Sequence, residues 1–391
     1  MSSKRPLETA LYFWNHRSIP PKQVIPFVQT LEASNVVDHF WMWDVVAGWF
    51  PPSVWTEEFT PLAKFGDFDS VYDAFVTLGL AASATDKLGM LLGGTNALRH
   101  GPAELMQRAM TLADSTEGGA ICCVGAGEAY NTIPFGYDRK LSIARMQDIF
   151  QIFRLLWESD GPISFDGRVI KFDDAYIGNV RGRRPSFWAM GAGPRLIKLA
   201  GQYADGWMSV APNGITSPEA YAERVKEIKQ LVEEAGRDPE KFRFGLTPTL
   251  LIHEDPDIVD KVFDNNVIKF FASIFGRVNQ ADWAELGVDS PFPPDYNYSL
   301  KFLPMKMTKD EMMATLGRTS RAAVEHCWTS GSPKEVAAKL QPYIDAGCDL
   351  MAPYDLLPAG LGSLEEMAAS FQNQLELCRI LKENNPGLAT A

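Results

Sequence analysis

A glutamate follows an apolar run in Ala120-Ile-Cys-Cys-Val-Gly-Ala-Gly-Glu128. A carboxyl placed where a buried strand gives way to a loop can donate or accept a proton, which makes Glu128 a candidate for acid–base chemistry. The plainer reading is a tight turn that leaves Glu128 in solvent. Gly125 and Gly127 do not form a dinucleotide fingerprint, because Tyr130 stands where the third glycine would be. A second constellation, Gly191-Ala192-Gly193-Pro194, lies between an apolar run and a helical one. Small residues there leave backbone N–H groups bare at a helix N-terminus, a place that suits a phosphate. A short turn with proline opening the helix explains the same residues equally well. The run Leu88–Thr95 ends in Gly93-Gly94, which permits unusual backbone close to a ligand. A strand with a flexible exit is the stronger reading of that run taken alone. The segment 40–50, FWMWDVVAGWF, could build a wall for a flat ring. In it Trp41 reads as core, whereas Trp43, Asp44 and Trp49 read as belonging to the mouth of a site. The five histidines, His16, His39, His100, His253 and His326, show no metal-ligand spacing, and no metal site is expected. His39 precedes an apolar run and is expected to face away from the mouth.

Alternating elements must position these groups. Strands are expected at 10–14, 40–43, 88–93, 120–125, 186–190, 206–210, 242–252 and 349–354. Helical spacing covers 20–34, 69–85, 102–115, 141–159, 194–203, 218–235, 333–346 and 364–382. Repeated strand–helix units imply a parallel sheet, and eight of them favour a closed (β/α)8 TIM barrel in one domain over 1–391. Such a barrel needs about 250 residues, so the surplus is assigned to insertions near 46–68, 161–184 and 254–329. The second is expected to hold a β-hairpin. The third carries aromatic and proline-rich stretches such as PFPPDYNYSLKF, suited to a bulky apolar substrate and equally to a dimer interface. Active sites of these barrels lie at the C-terminal ends of the strands.

Composition narrows the class. Hydrophobic residues are 46% and charged residues 22% of 391, values of a globular chain. With 37 Lys and Arg against 49 Asp and Glu the net charge is −12, which excludes non-specific nucleic-acid binding. Five cysteines, two of them adjacent and none in C-x-x-C, suit a reducing compartment. Neither a signal peptide nor an apolar stretch of membrane-spanning length is evident, so a cytoplasmic protein is expected.

Four segments in order, GAGEAYN (125–131), LLWESDGPISFDGRVIKF (155–172), GAGPRLIKLAGQYADGW (191–207) and SGSPKEVAAKLQPYIDAGCD (330–349), resemble the luciferase-like superfamily, specifically its F420-dependent oxidoreductases. They are similar to those of phthiodiolone ketoreductases and of glucose-6-phosphate dehydrogenases that use the same deazaflavin. The resemblance implies a luciferase-like barrel, usually a homodimer, with coenzyme F420 across its C-terminal mouth. It implies a non-proline cis peptide at Leu91-Leu92, a phosphate site at Gly191, Ala192 and Gly193, and cofactor contacts at Asp44, Gly93, Gly94 and Asn131. Glu128 and Trp49 match the active-site glutamate and tryptophan. Val45 stands where those relatives have histidine, which counts against a sugar-phosphate substrate and a histidine base.

The resulting expectation is hydride transfer between F420 and a carbonyl, an alcohol or an activated double bond of a small-molecule substrate. Glu128 serves as the proton donor, and Trp49 serves as a wall or an indole donor. The alternatives are an FMN-dependent two-component monooxygenase of the same superfamily and a non-catalytic flavin- or deazaflavin-binding protein.

Overall fold

Strand-length apolar runs bounded by capped helices build the observed architecture. The computed structural model describes residues 5–361 and 363–387. Its strands are β1 Glu8–Tyr12, β2 His39–Met42, β3 Gly89–Asn96, β4 Ala120–Gly125, β5 Ile163–Asp166, β6 Lys171–Ala175, β7 Ser186–Met190, β8 Gly206–Ala211, β9 Arg243–Ile252, β10 Thr329–Gly331, β11 Leu350–Met351 and β12 Tyr354–Asp355. Strands β1, β2, β3, β4, β7, β8, β9 and β11 pair in parallel and close into an eight-stranded barrel. The antiparallel β5–β6 pair is the hairpin expected in 161–184.

Side chains alternate across the barrel wall, as a two-residue period requires. Trp41, Leu91, Cys123, Trp188 and Met208 point inward into one cluster. Phe40, Met42, Met90 and Leu92 point outward, under the helices. The helices are stopped by identifiable groups. Asp73 caps Ala74–Ala82 through Val76 N–H at 2.9 Å, so this helix is shorter than the expected 69–85. The last expected strand, 349–354, is split, because Pro353 between β11 and β12 has no N–H to give the ladder.

The bond between Leu91 and Leu92 corrects an expectation. The only cis peptide bond among the described residues is Ala211–Pro212. The irregularity at the end of β3 comes two residues later, where Gly93 pairs with Cys123 and Thr95 with Val124. Gly94 is the extra residue of a β-bulge, which re-aims the strand end with trans peptides alone. Gly93 must be glycine because a Cβ there would lie 1.9 Å from Trp41 Nε1.

The insertions make a second core above the barrel. The segment 254–329 is largely helical, with helices Pro256–Phe263, Asn266–Phe275 and Lys309–Arg318 among others. Phe50 and Val54 from 46–68 pack with Phe270, Phe271, Trp283 and Met312 from it. All five cysteines are free and buried. Among the described residues no helix is long and apolar enough to cross a membrane.

Candidate active site

The strand ends and the cap enclose a cavity of about 1030 Å³. Its barrel side includes Asp44, Gly94, Glu128, Asn131 and the turn Gly191–Gly193, and its cap side includes Trp49, Phe271, Phe275 and Tyr298. The expected residues Leu91, Leu92 and Gly93 do not line it. Leu91 is barrel interior and Leu92 is outer core, while Gly93 O accepts the indole N–H of Trp41 at 3.2 Å.

Glu128 ends the β4 turn and faces the cavity rather than solvent. Burial pushes its carboxyl above the usual range. The polar influence of the Tyr130 and Tyr298 hydroxyls and the charge of Arg139 pull the other way without overcoming it. Arg139 is fixed by its own Nε, which donates to Gly127 O at 2.8 Å.

Asp44 is the opposite kind of carboxylate. Three side-chain donors converge on its Oδ2: Thr95 Oγ1 at 2.6 Å, Arg99 Nη2 at 2.6 Å and His100 Nε2 at 2.8 Å. Burial by itself would raise its pKa, but His100 and Arg99 hold it down at about 2. It is ionised and tied to the protein, and it clamps the end of β2 to the end of β3. The spacing of the five histidines gives His100 no role in the sequence. The residues after β3 were its only local signal. Asp355, on the far wall, is raised to about 7 by burial, while its Oδ1 caps Leu357 N–H at 3.0 Å.

Trp49 stands in the cavity wall, with its indole 4.6 Å from the Phe275 ring and 5.0 Å from the Phe271 ring. Its N–H donates to the Tyr130 hydroxyl. The indole N–H is thus engaged by the Tyr130 hydroxyl. Asn131 accepts from Val46 N–H at 3.0 Å and Ala47 N–H at 3.2 Å, tying the first insertion to the β4 turn. Asp38 and His39 lie at the other end of the barrel, bound to Lys382 at 2.7 Å and Glu8 at 2.7 Å. Tyr130, Tyr298 and Asn213 were not singled out from sequence. Tyr130 sits two residues past Glu128, and Tyr298 lies in the aromatic stretch PFPPDYNYSLKF, whose composition does not single it out.

The turn Gly191-Ala192-Gly193 fits an anion. Gly191 adopts φ +139°, a conformation that favours glycine, and its carbonyl is pinned by Trp207 Nε1 at 2.7 Å. Gly193 precedes the helix Pro194–Tyr203, which has no side-chain cap, and nothing lies within 4 Å of where its Cβ would be. This open, uncapped helix start, with Arg195 beside it in the cavity wall, suits a phosphate-bearing cofactor.

Residues 37–350 match the family described as luciferase-like monooxygenase. The chain is 28% identical over 340 residues to a phthiodiolone/phenolphthiodiolone dimycocerosates ketoreductase of Mycobacterium tuberculosis, covering 85% of this chain and 87% of that one. It is 24% identical to an F420-dependent glucose-6-phosphate dehydrogenase of Kineococcus radiotolerans, covering 82% and 81%. Among solved structures it is similar to an F420-dependent secondary alcohol dehydrogenase in complex with an F420-acetone adduct, with TM-score 0.66, 20% identity and coverage of 93% and 98%. It is also similar to an EDTA monooxygenase from Chelativorans, with TM-score 0.61, 13% identity and coverage of 97% and 94%.

Proposed function

We propose that this chain, which belongs to the luciferase-like monooxygenase family, is an F420-dependent oxidoreductase that interconverts a carbonyl and an alcohol, or reduces an activated double bond. The observation that carries this reading is Glu128, a carboxyl held above its ordinary pKa by burial and aimed into the cavity. Bound there, the deazaflavin supplies the hydride. Gly191, Ala192 and Gly193 would hold its phosphate, with Gly94 and Asn131 on the same wall.

The chain's own part is to place the substrate and handle a proton. A carbonyl that accepts hydride leaves charge on its oxygen, and a donor within hydrogen-bond reach must answer it. Glu128 can give that proton because burial keeps it protonated to higher pH than a free glutamate. Asp44 cannot serve, since it is ionised and occupied by Thr95, Arg99 and His100. Trp49, Phe271 and Phe275 exclude water and favour an apolar substrate.

Binding tests the cofactor. Quenching of tryptophan fluorescence should show micromolar or tighter binding of the deazaflavin and weaker binding of FMN. FMN binding as tight or tighter would replace this reading with the FMN-dependent monooxygenase.

A further inference from the structure

Glu128 and Arg139 hang from one turn. Thr132 Oγ1 donates to Glu128 O at 2.8 Å and Asn131 N–H donates to the same carbonyl at 3.1 Å, so the backbone that carries Glu128 is held twice. Arg139 opens the short helical turn Arg139–Leu141, which Asp138 caps through Lys140 N–H at 2.9 Å. Its Nε donates to Gly127 O at 2.8 Å, the carbonyl of the peptide that joins Gly127 to Glu128. Both side chains stand in the cavity wall. That one bond is all the Arg139 side chain gives the protein. Among the described residues its Nη1 and Nη2 bond no protein group, the Glu128 carboxyl bonds none either, and the two side chains do not pair. Arg145, further along the same segment, shows what an arginine with a purely architectural task looks like. Its Nε goes to Ala97 O at 2.7 Å and its Nη2 to His100 O at 3.1 Å.

A guanidinium and a carboxyl that face one cavity from one turn without pairing leave a place for a third group. Burial pulls the Arg139 pKa down, the mark of a cation partly withdrawn from water. Unused N–H groups in such a position are costly until an acceptor arrives. A guanidinium only donates, and a protonated carboxyl has one proton to donate. The group that satisfies both donors is an oxygen with two lone pairs, such as that of a carbonyl. We propose that Arg139 is a second catalytic residue, which donates to the substrate's carbonyl oxygen alongside Glu128 and holds the negative charge that hydride transfer puts there. The inference rests on the reading of Glu128 as proton donor. Hydride adds to the carbonyl carbon at the expense of the reduced deazaflavin, which is oxidised. The π pair of the C=O bond passes to the oxygen beside Arg139. That oxygen takes the Glu128 proton, and an alcohol and a carboxylate remain. Arg139 keeps its own protons throughout, and its charge then faces the Glu128 carboxylate in place of the substrate oxygen.

The first arm of the test titrates the full-length protein with para-nitrophenolate, a flat oxyanion whose visible absorbance reports its binding. Arg139→Leu should weaken that binding about tenfold or more, the scale of a hydrogen bond to a charged group. Arg224→Leu removes another cation of the cavity wall and should leave it little changed. Arg139→Gln keeps a donor for Gly127 O but loses the charge, so it should match Arg139→Leu and decides should that variant fail to fold. No saturable binding to the wild type, equal binding by the wild type and the Arg139 variants, or equal losses at Arg139 and Arg224 would overturn the proposal. The second arm measures reduction of a series of methyl ketones with the deazaflavin. Arg139→Gln should lower kcat about 10²–10³-fold with deazaflavin affinity unchanged. An intact kcat, or a loss of deazaflavin affinity in its place, would overturn the proposal as well. If the phenolate follows Arg139 while Glu128→Gln keeps full turnover, or while the wild type reduces none of the ketones, the functional reading fails and the oxyanion site stands. If Glu128→Gln loses turnover while phenolate binding and kcat ignore Arg139, the functional reading stands and this inference fails.

Discussion

The barrel and the cap meet at one cavity but are built by different rules. The barrel wall repeats a strand–helix unit, its inward and outward faces alternate, and its glycines serve close packing, as Gly93 does beneath Trp41. The cap has no repeat. It is assembled from two insertions, 46–68 and 254–329, whose aromatic side chains find each other across about 200 residues of sequence. The difference appears in the two carboxylates at the mouth. Asp44 is anchored entirely by barrel-end groups from β3 and the loop after it, and it is ionised. Glu128 has its pKa raised by burial. The barrel end thus fixes the charge of Asp44, and the cap closes the cavity that Glu128 faces.

The sharpest break of this contrast is Glu128→Gln. It keeps size and hydrogen bonding but cannot cycle a proton, so turnover should drop about 10²–10⁴-fold with cofactor affinity little changed. The wild-type rate of carbonyl reduction should fall as pH rises through the raised Glu128 pKa. The sign for stability is opposite to that of activity. A carboxyl whose folded pKa lies above its unfolded one destabilises the fold once pH exceeds the unfolded value. Glu128→Gln should therefore raise the melting temperature at neutral pH while lowering turnover. Full turnover in this variant, with loss in Asp44→Asn, would move the chemistry to Asp44.

A pair of glycines separates wall from mouth. Gly93→Ala forces a Cβ into the buried Trp41 indole and should cost about 1–3 kcal/mol in denaturant unfolding. Gly193→Ala meets nothing within 4 Å at φ −66° and should leave stability nearly unchanged. Its added methyl stands at the uncapped helix start, so deazaflavin affinity should fall instead. Equal stability losses would erase the distinction.

Acid unfolding probes the anchored carboxylate. Asp44 has its pKa depressed from 3.8 to about 2, so its contribution is present above the unfolded value and is lost as pH falls from about 4 toward 2. That contribution is about 2 kcal/mol. Asp44→Asn should lack this part of the pH dependence, and an unchanged acid profile would show that the Arg99–His100 clamp is not formed in solution. The smallest effect belongs to the far end of the barrel. His39→Ala should leave turnover nearly intact, because His39 pairs with Glu8 below the strands. A loss of about 10²-fold would contradict the placement of the site.

Much of the fold was legible because each barrel element carries a local signal. The helices Pro102–Ser115 and Pro194–Tyr203 and the strands Ala120–Gly125 and Ser186–Met190 fall where apolar spacing and the Pro and Gly punctuation put them. The site was legible in part. Glu128 and the Gly191–Gly193 turn announce themselves as small or charged residues at the ends of apolar runs. Asp44 and Trp49 could be placed at the mouth, but not their bonding. The bulge at Gly94, in place of a cis bond at Leu91–Leu92, depends on the pairing of β3 with β4, which the β3 residues alone do not contain.

By itself the sequence determined the repeating units, the closed barrel they imply, and which residues stand at strand ends, because those are consequences of periodicity and short-range turn chemistry. Tertiary structure alone decided which groups touch. It brought His100 to Asp44 across 56 positions, and Trp49 to Tyr130 across 81. It carried Tyr298 from the cap to Asn213. Burial, which raises the pKa of both carboxyls and is overcome at Asp44 by His100 and Arg99, is produced by many distant segments closing on one cavity. A pKa shift of that kind has no local trace in the chain, since desolvation and hydrogen bonding act through space.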